Sequence, residues 1–138
     1  MVRIQKISLL FILLLVSTFA NAQQFEKSYD DNNDGSYTII YQYTDAEENK
    51  LEVYSCSSSS FTGAIVIPEK EIVTDGGSSL PVVSICKEAF ANCAMTSIRI
   101  PANVNYIGAD AFKDCGNLNK AIFTSIEDLC KITFVTQD

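Results

Sequence analysis

The chain has 138 residues, with 17 acidic, ten basic and no histidine side chains, which gives a formal net charge of −7 at pH 7. This length accommodates one domain rather than two. An acidic surface repels the phosphates of nucleic acids and anionic membranes, which argues against nucleic-acid binding. Without histidine the chain lacks the most common general base and the most common transition-metal ligand, and we predict neither catalysis nor a cofactor.

The N-terminal segment 1–22 has the pattern of a secretory signal peptide. Two basic residues precede an apolar run over residues 7–16, and Ala20 and Ala22 occupy the small-residue positions that signal peptidase requires. The run is too short for an ordinary membrane-spanning helix, although a retained N-terminal anchor is the alternative. We expect export to the cell surface or medium without later membrane insertion. Loss of the two basic residues would take the net charge from −7 to −9.

Residues 23–60 are predicted to be an N-terminal β-hairpin or capping region. The segment SYTIIYQYT (36–44) is rich in residues that suit a half-buried strand, and LEVYSC (51–56) alternates apolar and polar side chains. The polar segment 45–50 between them predicts a turn. The two runs are therefore expected to pair as an antiparallel hairpin.

The segment DDNNDG (30–35) begins like a calcium-binding loop. The last ligand of such a loop is an acid, whereas that position here is Tyr41. The residues after the segment also have the composition of a strand rather than of the exiting helix. A polar β-turn is therefore favoured over a calcium site, and no metal site is predicted.

A short strand around residues 65–67 is followed by a second predicted hairpin within residues 70–85. Ile65 and Ile67 share one face of a short strand, and Asp75-Gly76-Gly77 supplies a tight turn between two β-branched runs.

From Val82 onward the chain repeats itself. The segment VVSICKEAFANCAMTSIRIP aligns with VNYIGADAFKDCGNLNKAIFT, and the second copy has one extra residue after its cysteine. The aligned pairs are Ile85 with Ile107, Ala89 with Ala111, Phe90 with Phe112, Cys93 with Cys115, Ile98 with Ala121, and Ile100 with Phe123. A catalytic motif rarely needs a second copy, so the repeat indicates a structural unit.

Each copy is predicted to form one coil of a stack. Ile98 and Ile100 point to one side of a strand and Arg99 to the other, and Pro101 ends the strand. The segments EAFANC and DAFKDC suit one helical or 3₁₀ turn with Ala, Phe and Cys inside. Because Ile65 and Ile67 show the same strand pattern earlier in the chain, the second hairpin is an insertion in the first coil.

These motifs resemble the BspA-like, or Treponema pallidum-type, leucine-rich repeat, over roughly residues 62–124. The resemblance implies exported or surface bacterial proteins that act as adhesion or protein-binding scaffolds, with no catalytic residue in the repeat. The chain departs from the pattern at Cys86, where the next copy has Gly108, and at Thr124, where the first copy has Pro101. The tail from residue 125 is either a degenerate last coil or cap, or the chain is a shortened form of a longer protein.

The predicted fold is therefore mainly β with short helical turns. It is a short leucine-rich-repeat solenoid of two to three coils, with the signal peptide at 1–22, the capping region at 23–60 and the repeat domain at 61–138. The five cysteines form an odd set, so at least one thiol is free or intermolecular. Equivalent side chains of stacked coils point in parallel, so Cys93 and Cys115 are expected to be packed thiols rather than a disulfide.

The function predicted from the sequence is a non-enzymatic, secreted or cell-surface module that binds an extracellular protein or glycan. The candidate partner-binding β-face consists of outward strand residues: Val66, Ser97, Arg99, Lys120 and Ile122. The alternative is a structural N-terminal cap or stalk of a longer repeat protein, without binding of its own. A secreted hydrolase is disfavoured, because paired acids such as Glu69 and Glu71 have the pattern of ordinary solvated charge.

Overall fold

The computed structural model describes residues 24–31, 35–44, 49–58, 60–73 and 77–136. The predicted signal peptide, the middle of the possible calcium loop and the tips of the two predicted hairpin turns lie outside these residues. The elements are β1 (Gln24–Asp31), β2 (Gly35–Tyr43), β3 (Leu51–Ser57), β4 (Ala64–Val66), β5 (Lys70–Ile72), β6 (Ser79–Ile85), β7 (Ser97–Ile100), β8 (Tyr106–Ile107), β9 (Lys120–Phe123), α1 (Ile126–Lys131) and β10 (Thr133–Phe134).

The strands form two sheets. The large sheet has the order β1-β2-β3-β6-β8-β10, with β5 beside β6, and the small sheet has the order β4-β7-β9. From β3 onward the chain alternates between them, because β3, β6 and β8 in the large sheet are each followed by a strand of the small sheet. The fold is mainly β, as the sequence predicts.

The predicted pairings are confirmed. The alignment of the two copies places Ile98 beside Ala121 in the parallel pair β7–β9, and the earlier strand pattern places Ile65 beside Ile98 in β4–β7. The pairs β2–β3 and β5–β6 are both antiparallel, as expected for the two predicted hairpins.

The N-terminal strands continue into the repeat stack. β3 pairs in parallel with β6, with Val53 beside Ile85, and the backbone N–H of Cys56 donates to the carbonyl of Ala89 at 2.7 Å. β3 and β4 thus form a coil of their own, although LEVYSC has no repeat motif. β1, which the sequence did not distinguish, pairs with β2 along its full length.

The segments EAFANC and DAFKDC are tight turns with left-handed residues at both ends. The φ angles are +57° at Glu88 and +61° at Asn92, and +55° at Asp110 and +57° at Asp114. Their internal hydrogen bonds join residues three apart, as in a 3₁₀ turn. This pattern agrees with the 3₁₀ alternative of the prediction, and the left-handed residues keep each turn from continuing as a right-handed helix.

The turns of neighbouring coils are joined through their backbones. The N–H groups of Phe90 and Asn92 donate to the carbonyls of Ala111 and Lys113, both at 2.8 Å. This ladder leaves no room for a side chain at Gly108, because a Cβ there would lie 2.8 Å from the carbonyl carbon of Cys86.

The core lies between the two sheets. Phe90 is fully buried, and its ring stacks on that of Phe112 with centroids 5.5 Å apart. Phe112 itself is only partly buried, so the prediction that both rings are core residues holds fully for Phe90 and in part for Phe112. The largest fully buried side chains also include Tyr41, Phe61, Ile39, Leu51, Ile65, Ile67, Ile85, Met95 and Ile98.

A candidate partner-binding face on the small sheet

The five predicted face residues lie on the three strands of the small sheet. Val66, Arg99 and Ile122 are partners in register across β4, β7 and β9, and Ser97 pairs with Lys120 in the row beside them. The strand pleat turns these side chains away from the core, because the residues between them, such as Ile65 and Ile98, point inward and are buried.

All five face residues are accessible to solvent to some degree. Val66 is 44% exposed, Arg99 and Lys120 are exposed, and Ser97 and Ile122 are partly exposed. The structure therefore brings together residues from three separate segments of the sequence. We call this set the small-sheet face.

The small-sheet face is basic, whereas the whole chain is acidic. Its two charged members, Arg99 and Lys120, lie on neighbouring strands and in neighbouring rows. Within the described part of the chain, ion pairs involve Lys27, Lys87 and Lys131 but neither of these two cations. The face thus combines an apolar pair, Val66 and Ile122, with two unneutralised positive charges.

Three of the five cysteines, Cys56, Cys93 and Cys115, form a row along the stack, whereas Cys130 is exposed on α1. All five thiols are free, in agreement with the prediction for Cys93 and Cys115. The sequence missed Cys56, which lies next to Cys93 in the preceding coil. The hydrogen bond with Cys93 and burial raise the pKa of the Cys56 thiol, and the hydrogen bond from Cys56 lowers the pKa of Cys93.

A nucleophilic role for this row has little support from its geometry. Cys93 is only 4% exposed, and its Sγ atom donates weakly to the carbonyl of Cys56 at 3.9 Å. Cys115 donates to the carbonyl of Phe90 at 3.0 Å. A reactive thiolate needs access and a neighbouring cation, so this row is a packing feature.

The described residues hold neither a metal-binding cluster nor a helix suited to a membrane. No group of three or more Cys, Asp and Glu side chains there is arranged to hold a metal ion. None of the helices in that part of the chain has the length and apolar content needed to cross a bilayer.

The repeat region matches a known family. Residues 78–136 match the model of the BspA type leucine rich repeat region, which is built of six copies. These residues belong to the BspA-type leucine-rich repeats. The match covers the strands β6 to β10, including two of the three strands of the small-sheet face. No curated protein resembles the chain closely enough to count as a relative.

Solved structures of leucine-rich repeat proteins share the fold. One from Bacteroides capillosus has 21% identity and a TM-score of 0.55, over 62% of this chain and 60% of that one. One from Bacteroides ovatus has 32% identity and a TM-score of 0.52, over 60% of this chain and 21% of that one. A leucine rich cell surface protein from Faecalibacterium prausnitzii has 20% identity and a TM-score of 0.50, over 84% and 31%. The chain spans less than two thirds of each of these proteins.

Proposed function

We propose that the protein is a non-enzymatic binding module of the cell surface or the extracellular medium, and that it binds a protein partner through the small-sheet face. The observation that carries the proposal is the in-register row Val66, Arg99 and Ile122 on a repeat stack. Repeat proteins present such regular outer surfaces to their partners.

The composition of the face favours a protein partner with an acidic surface. Val66 and Ile122 offer apolar area on either side of Arg99, which lies on the central strand, and apolar contact area suits a protein interface. Arg99 and Lys120 add positive charge, which favours encounter with a negatively charged patch. A glycan is the weaker alternative on this face, because none of its five residues is aromatic.

Two observations support an extracellular location. The N-terminal segment 1–22 has the pattern of a signal peptide. The similar protein from Faecalibacterium prausnitzii is a cell surface protein. A non-enzymatic role is supported by the absence of histidine from the sequence and by the lack of catalytic residues in the family's repeat.

The test is a binding experiment on an array of extracellular matrix and cell-surface proteins, with the purified protein as the probe. Arg99→Glu and Ile122→Asp should each abolish binding to the partner that the wild type selects. Lys113→Glu is the matched control, because it reverses an exposed charge on the turn side of the stack and should leave binding unchanged. Equal binding by all four proteins would refute the small-sheet face.

A second candidate function is a structural cap or stalk within a longer repeat protein. The observation that favours it lies at the β10 edge of the large sheet, where Phe134 is 54% and Val135 is 38% exposed. Sedimentation distinguishes the two functions. A stable monomer supports a self-sufficient binding module, and concentration-dependent association abolished by Phe134→Ser supports a unit that needs further coils.

A further inference from the structure

A second surface feature lies on the large sheet, away from the small-sheet face. It is an open cleft of about 380 Å³ on the outer side of β3, β6 and β8. Its polar lining comes from Thr44, Lys50, Glu52, Ser84, Asn105 and Tyr106. Sites for small ligands have volumes of about 300–1,000 Å³, so the cleft has room for one small ligand.

Hydrogen bonds from neighbouring side chains hold the Glu52 carboxylate in one position in the absence of a ligand. Oε2 of Glu52 accepts a hydrogen bond from the hydroxyl of Ser84 at 3.2 Å, and Oε1 accepts one from the side-chain amide of Gln42. Ser84 is 7% exposed, so its hydroxyl is committed to this contact. The thiol of Cys86 also hydrogen-bonds to this carboxylate. A carboxylate has about four acceptor positions, so Glu52 still keeps the capacity to accept from a ligand hydroxyl.

An aromatic ring lines the same cleft on the next strand beyond Ser84. Tyr106 is the partner of Ser84 in the β6–β8 ladder, and 42% of its surface is exposed. The neighbouring Asn105 is exposed as well, and its amide group both donates and accepts hydrogen bonds. The cleft therefore combines an accessible ring with a fixed acceptor and an amide.

The charges in the cleft disfavour the binding of a simple anion or a simple cation. Glu52 repels an anion and Lys50 repels a cation, and both residues line the same cleft. A purely apolar ligand would remove the solvent from these polar groups without replacing their hydrogen bonds, which is costly. A neutral ligand with several hydroxyl groups avoids both penalties, and the C–H face of a sugar ring can lie against an aromatic ring.

We propose that this cleft binds one neutral sugar residue, with its ring against Tyr106 and its hydroxyl groups hydrogen-bonded to Glu52 and Asn105. For a ligand of this size in an open cleft, we expect a dissociation constant on the order of 1 mM. This site is independent of the proposed protein-binding face, because the two lie on different sheets.

The test is a titration of the ¹⁵N-labelled protein with glucose, galactose, N-acetylglucosamine and their β-linked disaccharides, followed by backbone amide shifts. We expect at least one of these sugars to move signals of β3, β6 and β8. Tyr106→Ala should weaken that binding by about tenfold, which is the loss expected for one aromatic contact. Tyr54→Ala is the matched control, because Tyr54 is 44% exposed on β3 but does not line the cleft, and it should leave affinity unchanged.

Two further variants separate the possible causes. Asn105 takes part in the ladder through its backbone alone, so Asn105→Ala removes a cleft side chain without removing a ladder hydrogen bond. This variant should weaken binding while its spectrum stays that of a folded protein. Arg99→Glu, which tests the small-sheet face, should leave sugar affinity unchanged. The proposal is overturned if no sugar of the panel shifts these signals, if Tyr106→Ala binds as tightly as the wild type, or if free glycine binds in the cleft and the sugars do not.

Discussion

The hydroxyl of Tyr29 donates a 2.6 Å hydrogen bond to Oε2 of Glu71, far along the sequence from it. The same hydroxyl lies 2.8 Å from that of Tyr41, and the Glu71 side chain is only 14% exposed. The contact fastens the inserted hairpin of β5 and β6 to the N-terminal strands. The sequence-based interpretation of Glu71 as ordinary solvated charge is therefore wrong.

Removing this hydrogen bond should destabilise the protein. Tyr29→Phe leaves the mostly buried Glu71 carboxylate without its hydroxyl donor, and we expect a loss of about 1.5–3 kcal/mol in the free energy of unfolding. Glu71→Gln in the Tyr29→Phe background should cost less than Glu71→Gln alone, because the two groups interact. Urea unfolding of the four proteins measures the coupling, and strictly additive losses would show that the contact contributes nothing.

The stability of the protein should fall in alkali for the same reason. Burial raises the pKa of Tyr29 above its ordinary value of 10.0, and the hydrogen bond with Glu71 raises it further. Burial also raises the pKa of Tyr41. Because the folded state holds these protons more tightly than the unfolded state, their contribution is complete below pH 10 and is lost as the pH rises beyond it.

The alkaline effect is measured by urea unfolding across this range. The free energy of unfolding should decline above pH 10 in the wild type and decline less steeply in Tyr29→Phe, which lacks one of the two titrating groups. Parallel curves for the two proteins would contradict the assignment.

The close approach of two coils at Gly108 predicts a position that tolerates no side chain. In Gly108→Ala the new Cβ would lie 2.8 Å from the carbonyl carbon of Cys86 and 2.9 Å from Cα of Lys87, so the backbone ladder must shift. We expect a loss of about 1–3 kcal/mol in thermal or urea unfolding. Gly116→Ala is the matched control, since a Cβ there meets nothing within 4 Å. A loss at Gly116 as large as that at Gly108 would refute the steric argument.

The stacked rings should differ in their contribution to stability. Phe90→Ala removes a fully buried ring and should cost about 3–5 kcal/mol, enough to unfold much of a small domain. Phe112→Ala removes a partly buried ring and should cost less, about 2 kcal/mol. Melting followed by circular dichroism gives both values, and the reverse order would show that the Phe112 end of the stack is the better packed one.

Much of the small sheet was predictable because the alignment of the two sequence copies gives the register of its strands. Ile98 and Ile100 lie two residues apart, and Ala121 and Phe123 occupy the same positions in the second copy. This repeat indicates both the parallel pairing of the strands and the side of each strand that faces the core. The outward positions follow from the pleat alone, so the small-sheet face could be named from the sequence.

Other parts of the fold leave no such trace in the sequence. The parallel pairing of β3 with β6 depends on backbone hydrogen bonds. The residues around Val53 do not match the repeat motif that contains its partner Ile85. Glu88 adopts a positive φ with no glycine or asparagine to signal it, because the ladder to the next coil imposes the conformation. The cleft joins Glu52 to the distant Tyr106, and only the folded order of β3, β6 and β8 brings them together.

The strand order of the large sheet also determines how the molecule responds to tension. β1 and β10 lie at its opposite edges, so a pull applied between them runs along the interstrand hydrogen bonds rather than along the strands. Such a load opens the ladders one bond at a time, as in a zipper, instead of shearing many bonds at once. A protein of this design that is tethered at one edge and gripped at the other would lengthen under small forces, coil by coil.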